Sequence, residues 1–216
     1  MHYRLIPNSF HFENLSLFNT SYRGLHMKNN TYENDVRILG GKFKGKLLPV
    51  LDVEGLRPTP SRVRETIFSW IKDSLGNAKV LDLFAGSGAL GLEAYSRGAK
   101  DVTLVELDKD NSSNLKVIAK SMSYDEIHVI NDDALHFLDN VSSTFNIVFI
   151  DPPYKLDIYE KVLEKLLDKN LIDDDSLIYV EMRNGSNKIV PGYEIIREEN
   201  SGQSKYSLWT KSKLLF

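Results

Sequence analysis

From residue 78 onward, short apolar runs alternate with stretches whose apolar positions recur every three to four residues. VLDLF (80–84), DVTLVEL (101–107), residues 126–131, 145–150 and 176–181 predict strands. Residues 89–97, 109–121, 134–140 and 157–168 predict the helices between them. Strand–helix alternation of this kind implies βαβ units, hence a parallel sheet covered on both faces by right-handed crossovers. The tail breaks the rhythm. YEIIREE (193–199) and SKYSLWTK (204–211) flank Ser201-Gly202 and predict an antiparallel hairpin at one edge of the sheet. The expected fold is therefore α/β: a Rossmann-like sandwich on a mostly parallel seven-stranded sheet.

Ahead of this core, VRILGGKFKGKLLPV (36–50) predicts a hairpin turning near Gly40-Gly41, with lysines alternating on one side. RPTPSRVRETIFSWIKDSL then predicts a helix, with Thr59 as N-cap and Pro60 at the first helical position. Val63, Ile67, Trp70 and Ile71 would form its apolar face. Residues 1–34 show no periodicity, so the expected organisation is an irregular extension (1–35), a basic hairpin and helix (36–77) and the main domain (78–216). The extension leaves three readings open: irregular structure, a start codon placed upstream of Met27, or a weak organellar presequence carrying Arg4, Arg23 and Lys28.

Composition narrows the function. The 216 residues are 42% hydrophobic and 26% charged, ordinary for a globular chain, with no apolar run long enough for a membrane span and no secretory signal. There are no cysteines, which excludes disulfides, zinc ribbons, iron–sulfur clusters and a thiolate nucleophile. The five histidines have no metal-ligand spacing, so no metal is expected. The net charge of −3 conceals an asymmetry. Residues 37–64 hold Arg37, Lys42, Lys44, Lys46, Arg57, Arg62 and Arg64 against Asp52 and Glu54, a local +5 on an otherwise acidic chain. Such a patch is either a footprint for a polyanion or a solvated hairpin.

Ligands of open parallel sheets bind beyond the carboxyl ends of the strands. Four such ends are distinctive here. DLFAGSGALG (82–91) sets Gly86, Gly88 and Gly91 in a GxGxxG turn between strand and helix, suited to a dinucleotide or to S-adenosylmethionine. Glu106 ends the next strand, where a carboxylate accepts both ribose hydroxyls. In NDDA (131–134), Asp133 either caps the following helix or accepts from an adenine amine, with the Ala134 N–H reaching a ring nitrogen. The last is DPPY (151–154). Asp151 and the Pro152 carbonyl can accept both N–H bonds of an exocyclic amine on a nucleobase. Pro153 stiffens the tip, and Tyr154 stacks on the base.

DLFAGSGALG, VEL, NDDA and DPPY, in that order, resemble the motifs of class I S-adenosylmethionine-dependent methyltransferases acting on exocyclic amines. Together with GGKFKGKLL, GLRPTPSRVRETIFSWI and LIYVE they resemble the RsmD-type family over roughly residues 36–210. That resemblance implies methyl transfer to the N2 of a guanine in small-subunit ribosomal RNA, naked or in a small ribosomal particle. It implies a cofactor site at Asp82, Phe84, Gly86, Gly88, Glu106, Leu107, Asp133 and Ala134, and a base site at Asp151 to Tyr154. Lys42, Lys44, Lys46, Arg57, Arg62 and Arg64 would contact RNA phosphates; for Arg62 or Arg64 the alternative is the methionine carboxylate of the cofactor. A cytoplasmic monomer is expected, with organellar import through residues 1–30 left open. The rival readings are a nicotinamide-dependent oxidoreductase, an adenine-N6 or cytosine-N4 DNA methyltransferase, and a non-catalytic RNA-binding protein.

Overall fold

The computed structural model describes residues 35–51, 59–123, 125–153, 156–185 and 190–213. The N-terminal extension, Arg57 and Tyr154 therefore lie outside the described residues.

Nine strands and five α-helices follow in chain order among these residues. They are β1 (Val36–Arg37), β2 (Leu47–Leu48), α1 (Ser61–Trp70), β3 (Lys79–Asp82), α2 (Gly91–Ser96), β4 (Asp101–Glu106) and α3 (Lys109–Lys120). Next come β5 (Ile127–Asn131), α4 (Ala134–Asn140), β6 (Phe145–Ile150), α5 (Tyr159–Asp168), β7 (Ile172–Arg183), β8 (Tyr193–Ser201) and β9 (Ser204–Lys211). A seven-stranded sheet runs β5-β4-β3-β6-β7-β9-β8. The pairs among β3 to β7 are parallel, and β9 joins β7 and β8 antiparallel.

Alternation along the strands sorts side chains into two cores. Val80, Ile147, Phe149 and Tyr179 face one, beneath α1, α2 and α3. Leu81, Val148, Ile150, Ile178 and Val180 face the other, beneath α4 and α5. From Ile147 to Ile150 β6 is buried on both faces, which is why those residues read as an unbroken apolar run. In α5, Tyr159, Val162, Leu163 and Leu166 form the buried stripe, the i, i+3, i+4, i+7 spacing of an amphipathic helix. Val36, Ile38, Leu48, Val63, Ile67 and Phe68 belong to the first core, so the hairpin and α1 share it with the sheet.

Three local expectations are corrected. The strand expected over 176–181 begins at Ile172, because Ser176 Oγ donates to the Phe145 carbonyl (2.8 Å) and accepts from Asp173 N (2.9 Å), carrying an acidic segment into the sheet. α1 begins after Pro60 with no side-chain cap, and the Thr59 hydroxyl is directed elsewhere. The basic hairpin has only two paired residues per arm, so its lysines do not alternate along strands. Lys42 and Lys44 sit in a wide turn closed by Gly45 N to Ile38 O (2.8 Å) and Ile38 N to Lys46 O (2.9 Å). Gly41, at φ +76°, lies flat on the end of α2, where a Cβ would meet the Ser96 carbonyl oxygen at 1.8 Å. Backbone contact that close excludes any side chain at this position.

Candidate active site

The carboxyl ends of β3, β4, β6 and β7 converge on one rim. After β3 the chain turns through Gly86 (φ +52°) and Gly88 (φ +74°) into α2. Asp82 fixes that turn from inside, its Oδ2 accepting from Gly91 N at 2.9 Å. A Cβ on Gly91 would meet Leu104 Cδ2 at 2.2 Å, so the helix start is pressed against β4. Burial raises the Asp82 pKa to about 7, with the Glu106 charge adding to the rise and the Gly91 N–H opposing it.

Glu106, at the end of β4, braces the same loop. Its Oε2 accepts from Gly86 N (2.9 Å) and its Oε1 from Asp108 N (2.8 Å), while Asn111 Nδ2 donates to the Gly86 carbonyl (2.6 Å). A carboxylate accepts about four hydrogen bonds, so two amides leave capacity for a diol. Burial raises its pKa, and the two amides pull it back. Leu107 is 68% exposed immediately beyond, an apolar surface fit for the face of a heterocycle. Phe84 is partly exposed beside the loop. At the end of β5, Asp133 caps α4, its Oδ1 accepting from Leu135 N (2.9 Å) and His136 N (3.1 Å). Of its two expected roles the geometry displays the cap; Ala134 behind it is buried. A glycine turn whose amides are held from within by Glu106, Ala85 and Asp82, an acid with acceptor capacity for a diol and an apolar shelf fit a nucleoside-bearing cofactor.

β6 lies next to β3, with Asp82 level with Phe149. Asp151 therefore stands two residues further out on the same face as Asp82. Its backbone continues through Pro152, buried, and Pro153, exposed. Thr59 Oγ1 donates to Asp151 Oδ2 at 3.2 Å, the contact that takes Thr59 away from capping. Burial and the charge of Glu181 push the Asp151 pKa well above the ordinary carboxylate range, with Thr59 opposing and Asp82 adding. Glu181, on β7, accepts from the Tyr179 hydroxyl at 2.8 Å. Reading the sequence singled out neither Thr59 nor Glu181 for the site. The signal for Glu181 was the acid closing LIYVE, at the carboxyl end of the strand neighbouring β6.

The basic residues divide. Lys42 and Lys44 are exposed, Lys46 is partly exposed and Arg62 is exposed on the first turn of α1. The lysine turn is bound to the far end of α2, through Lys42 N to Ser96 O (2.7 Å) and Phe43 N to Ser96 Oγ (2.9 Å), away from the glycine loop. Arg64 is corrected: it is 3% exposed, so its guanidinium is turned into the protein and not toward RNA phosphates in solvent. Its guanidinium bonds Glu93 Oε2 (3.0 Å), the Arg37 carbonyl (3.0 Å) and the Thr59 carbonyl (3.2 Å).

A family model described as Conserved hypothetical protein 95 matches residues 36–210. The ribosomal RNA small subunit methyltransferase D of Escherichia coli K12 is 40% identical over 185 residues, covering 85% of this chain and 93% of that protein. Its Haemophilus influenzae counterpart is 39% identical over 182 residues, covering 82% and 94%. The solved structure of Escherichia coli yhhF superposes with a TM-score of 0.76 at 38% identity, covering 82% of this chain and 98% of that one. Fold, glycine loop and near-full-length similarity agree, and the chain belongs to the ribosomal RNA small subunit methyltransferase D family of S-adenosylmethionine-dependent enzymes.

Proposed function

We propose that the protein transfers a methyl group from S-adenosylmethionine to the exocyclic N2 of a guanine in small-subunit ribosomal RNA. The observation that carries this reading is Asp151, a carboxylate of raised pKa held on a Pro-Pro tip beside the glycine loop. S-adenosylmethionine, when bound, supplies an electrophilic sulfonium methyl. Asp82, Phe84, Gly86 and Gly88 shape its cradle, Glu106 holds the ribose, and Leu107, Asp133 and Ala134 border the adenine. A guanine amine is a poor nucleophile because its lone pair is delocalised into the ring. Asp151 and the Pro152 carbonyl accept its two N–H bonds and turn the lone pair toward the methyl, while Tyr154 stacks on the base. Asp151 would receive the amine proton while N2 takes the methyl and the cofactor's sulfur keeps the electron pair of the broken bond. A raised pKa suits a group that must receive that proton.

The RNA backbone is met by Arg62, three residues after Thr59, and more distantly by Lys42, Lys44 and Lys46. Replacing Lys42 and Lys44 together by alanine should reduce the salt slope of RNA binding by about 1 to 2 units in log–log form. A titration across salt concentrations measures this, and an unchanged slope removes the turn from the interface. Glu106→Ala should weaken S-adenosylhomocysteine binding by roughly 10- to 100-fold, the worth of charge-assisted bonds to a diol. Isothermal calorimetry reads it directly.

The deciding experiment offers labelled S-adenosylmethionine with naked small-subunit RNA, small ribosomal particles and duplex DNA, then identifies the modified nucleosides by mass. N2-methylguanosine from either RNA substrate is the expected product, and the preferred form dates the step within subunit assembly. Methyladenine or methylcytosine in DNA overturns the substrate while leaving the fold and cofactor in place. The same reading puts the work in the cytoplasm, where subunits of the bacterial type are assembled.

A further inference from the structure

Phe149 on β6 and Tyr179 on β7 are register partners whose rings meet edge-on at 6.1 Å, and Ile150 pairs with Val180 one step further out. One step further out stand Asp151, immediately past the end of β6, and Glu181 on β7, whose charge acts on it. Alternation returns both side chains to the Phe149–Tyr179 face, on strands about 4.8 Å apart. Tyr179 is fully buried, and the bond from its hydroxyl fixes one oxygen of Glu181 from below. Glu181 itself is 8% exposed at the rim. Two strands separate it from Glu106 in the order β4-β3-β6-β7, so it lies apart from the ribose end of the site.

Two carboxylates side by side repel each other, and the rim keeps them close. A ligand that presents two neighbouring N–H donors removes that conflict. Guanine does so along one edge, with N1–H next to the N2 amine. Adenine at N1 and cytosine at N3 offer a lone pair there instead, which a carboxylate repels. We infer that Glu181 is a specificity-determining residue that accepts the N1–H of the target guanine while Asp151 accepts from its N2 amine. The inference rests on the guanine-N2 reading and adds the group that tells this base from others. A carboxylate accepts about four hydrogen bonds, so Glu181 can take a ligand donor in addition to its bonds within the protein.

The test uses the full chain and small-subunit RNA carrying either guanine or 2-aminopurine at the modified position. 2-Aminopurine keeps the amine at C2 but has an unprotonated N1. The unaltered enzyme should prefer guanine by about 10- to 100-fold in kcat/KM, the worth of one charged hydrogen bond. In Glu181→Gln that preference should collapse toward unity, because an amide N–H can donate to the unprotonated N1. Retained binding of S-adenosylhomocysteine reports that the variant is folded. If it is not, Tyr179→Phe takes its place: loss of the orienting hydroxyl should lower the preference without altering affinity for S-adenosylhomocysteine. N2-methylguanosine formed with an unchanged preference in the variant overturns the role of Glu181 alone. A product other than N2-methylguanosine from the unaltered enzyme overturns the guanine-N2 reading and this inference together.

Discussion

Asp151→Ala should lower kcat by about 100- to 10,000-fold, the span of a lost positioned proton acceptor, while S-adenosylhomocysteine binds as before. The separation is expected because the cofactor groups, Glu106 and the glycine loop, hang from β3 and β4, whereas Asp151 ends β6 and is held by Thr59. Asp151→Asn is the sharper variant. It keeps the shape and one acceptor but cannot receive the proton, so turnover should remain low although the pocket is intact. The pH dependence follows from the raised pKa. Methyl transfer requires the ionised carboxylate, so kcat/KM should climb with pH through a limb displaced above the ordinary carboxylate range, and Asp151→Asn should lack that limb. Stability should move the other way. A carboxyl whose pKa is raised by folding binds more protons folded than unfolded, so stability falls as pH rises from the ordinary value to the raised one. Asp151→Asn should be at least as stable as the parent above that window, which a thermal melt at two pH values measures. Full turnover in Asp151→Ala would end the role given to this residue.

Much of this arrangement is legible in the sequence because it is local. The apolar runs of β3 and β6, the glycine turn, the Asp133 cap and the two-residue turn after Ser201 each carry their own signature within a few residues. What escaped is set by contacts across long separations. Thr59 has the composition of an N-cap, and only the fold, by bringing a residue 92 positions away within reach, turns its hydroxyl to Asp151. The Asp173–Asp175 run is poor strand material and bulges between the Phe145–Ile172 and Ile147–Leu177 pairs, held there because Ser176 ties its end to β6. The lysines of the first hairpin look like a ladder until Gly41 folds flat onto α2 and turns that stretch into a loop. Charge counted along the chain cannot tell a cation in solvent from one inside the core, and Arg64 belongs to the second kind.

Arg64→Ala should cost about 3 kcal/mol of stability and leave the salt dependence of RNA binding untouched. Glu93 is fully buried on α2, and Arg64 is one of its two cations; Arg97 approaches the other oxygen at 2.8 Å. Removing one partner strands charge that burial has already stripped of water, which is why breaking such a pair costs more than forming it contributes. Arg97 tempers the loss, placing it at the lower end of the range for buried pairs. The arginine also satisfies the carbonyls of Arg37 and Thr59, and so ties β1 and the start of α1 to α2. For a chain of this size the melting temperature should drop by roughly 6 to 12 °C. Thr59 is the residue whose hydroxyl reaches Asp151, so the same variant should lower kcat by loosening that support, with KM for the cofactor little changed. Arg64→Lys should recover part of the stability but not the carbonyl contacts, since an ammonium lacks the planar fork that bridges three acceptors. Were Arg64 a phosphate ligand, the pattern would reverse: a melt close to the parent's and a shallower salt slope.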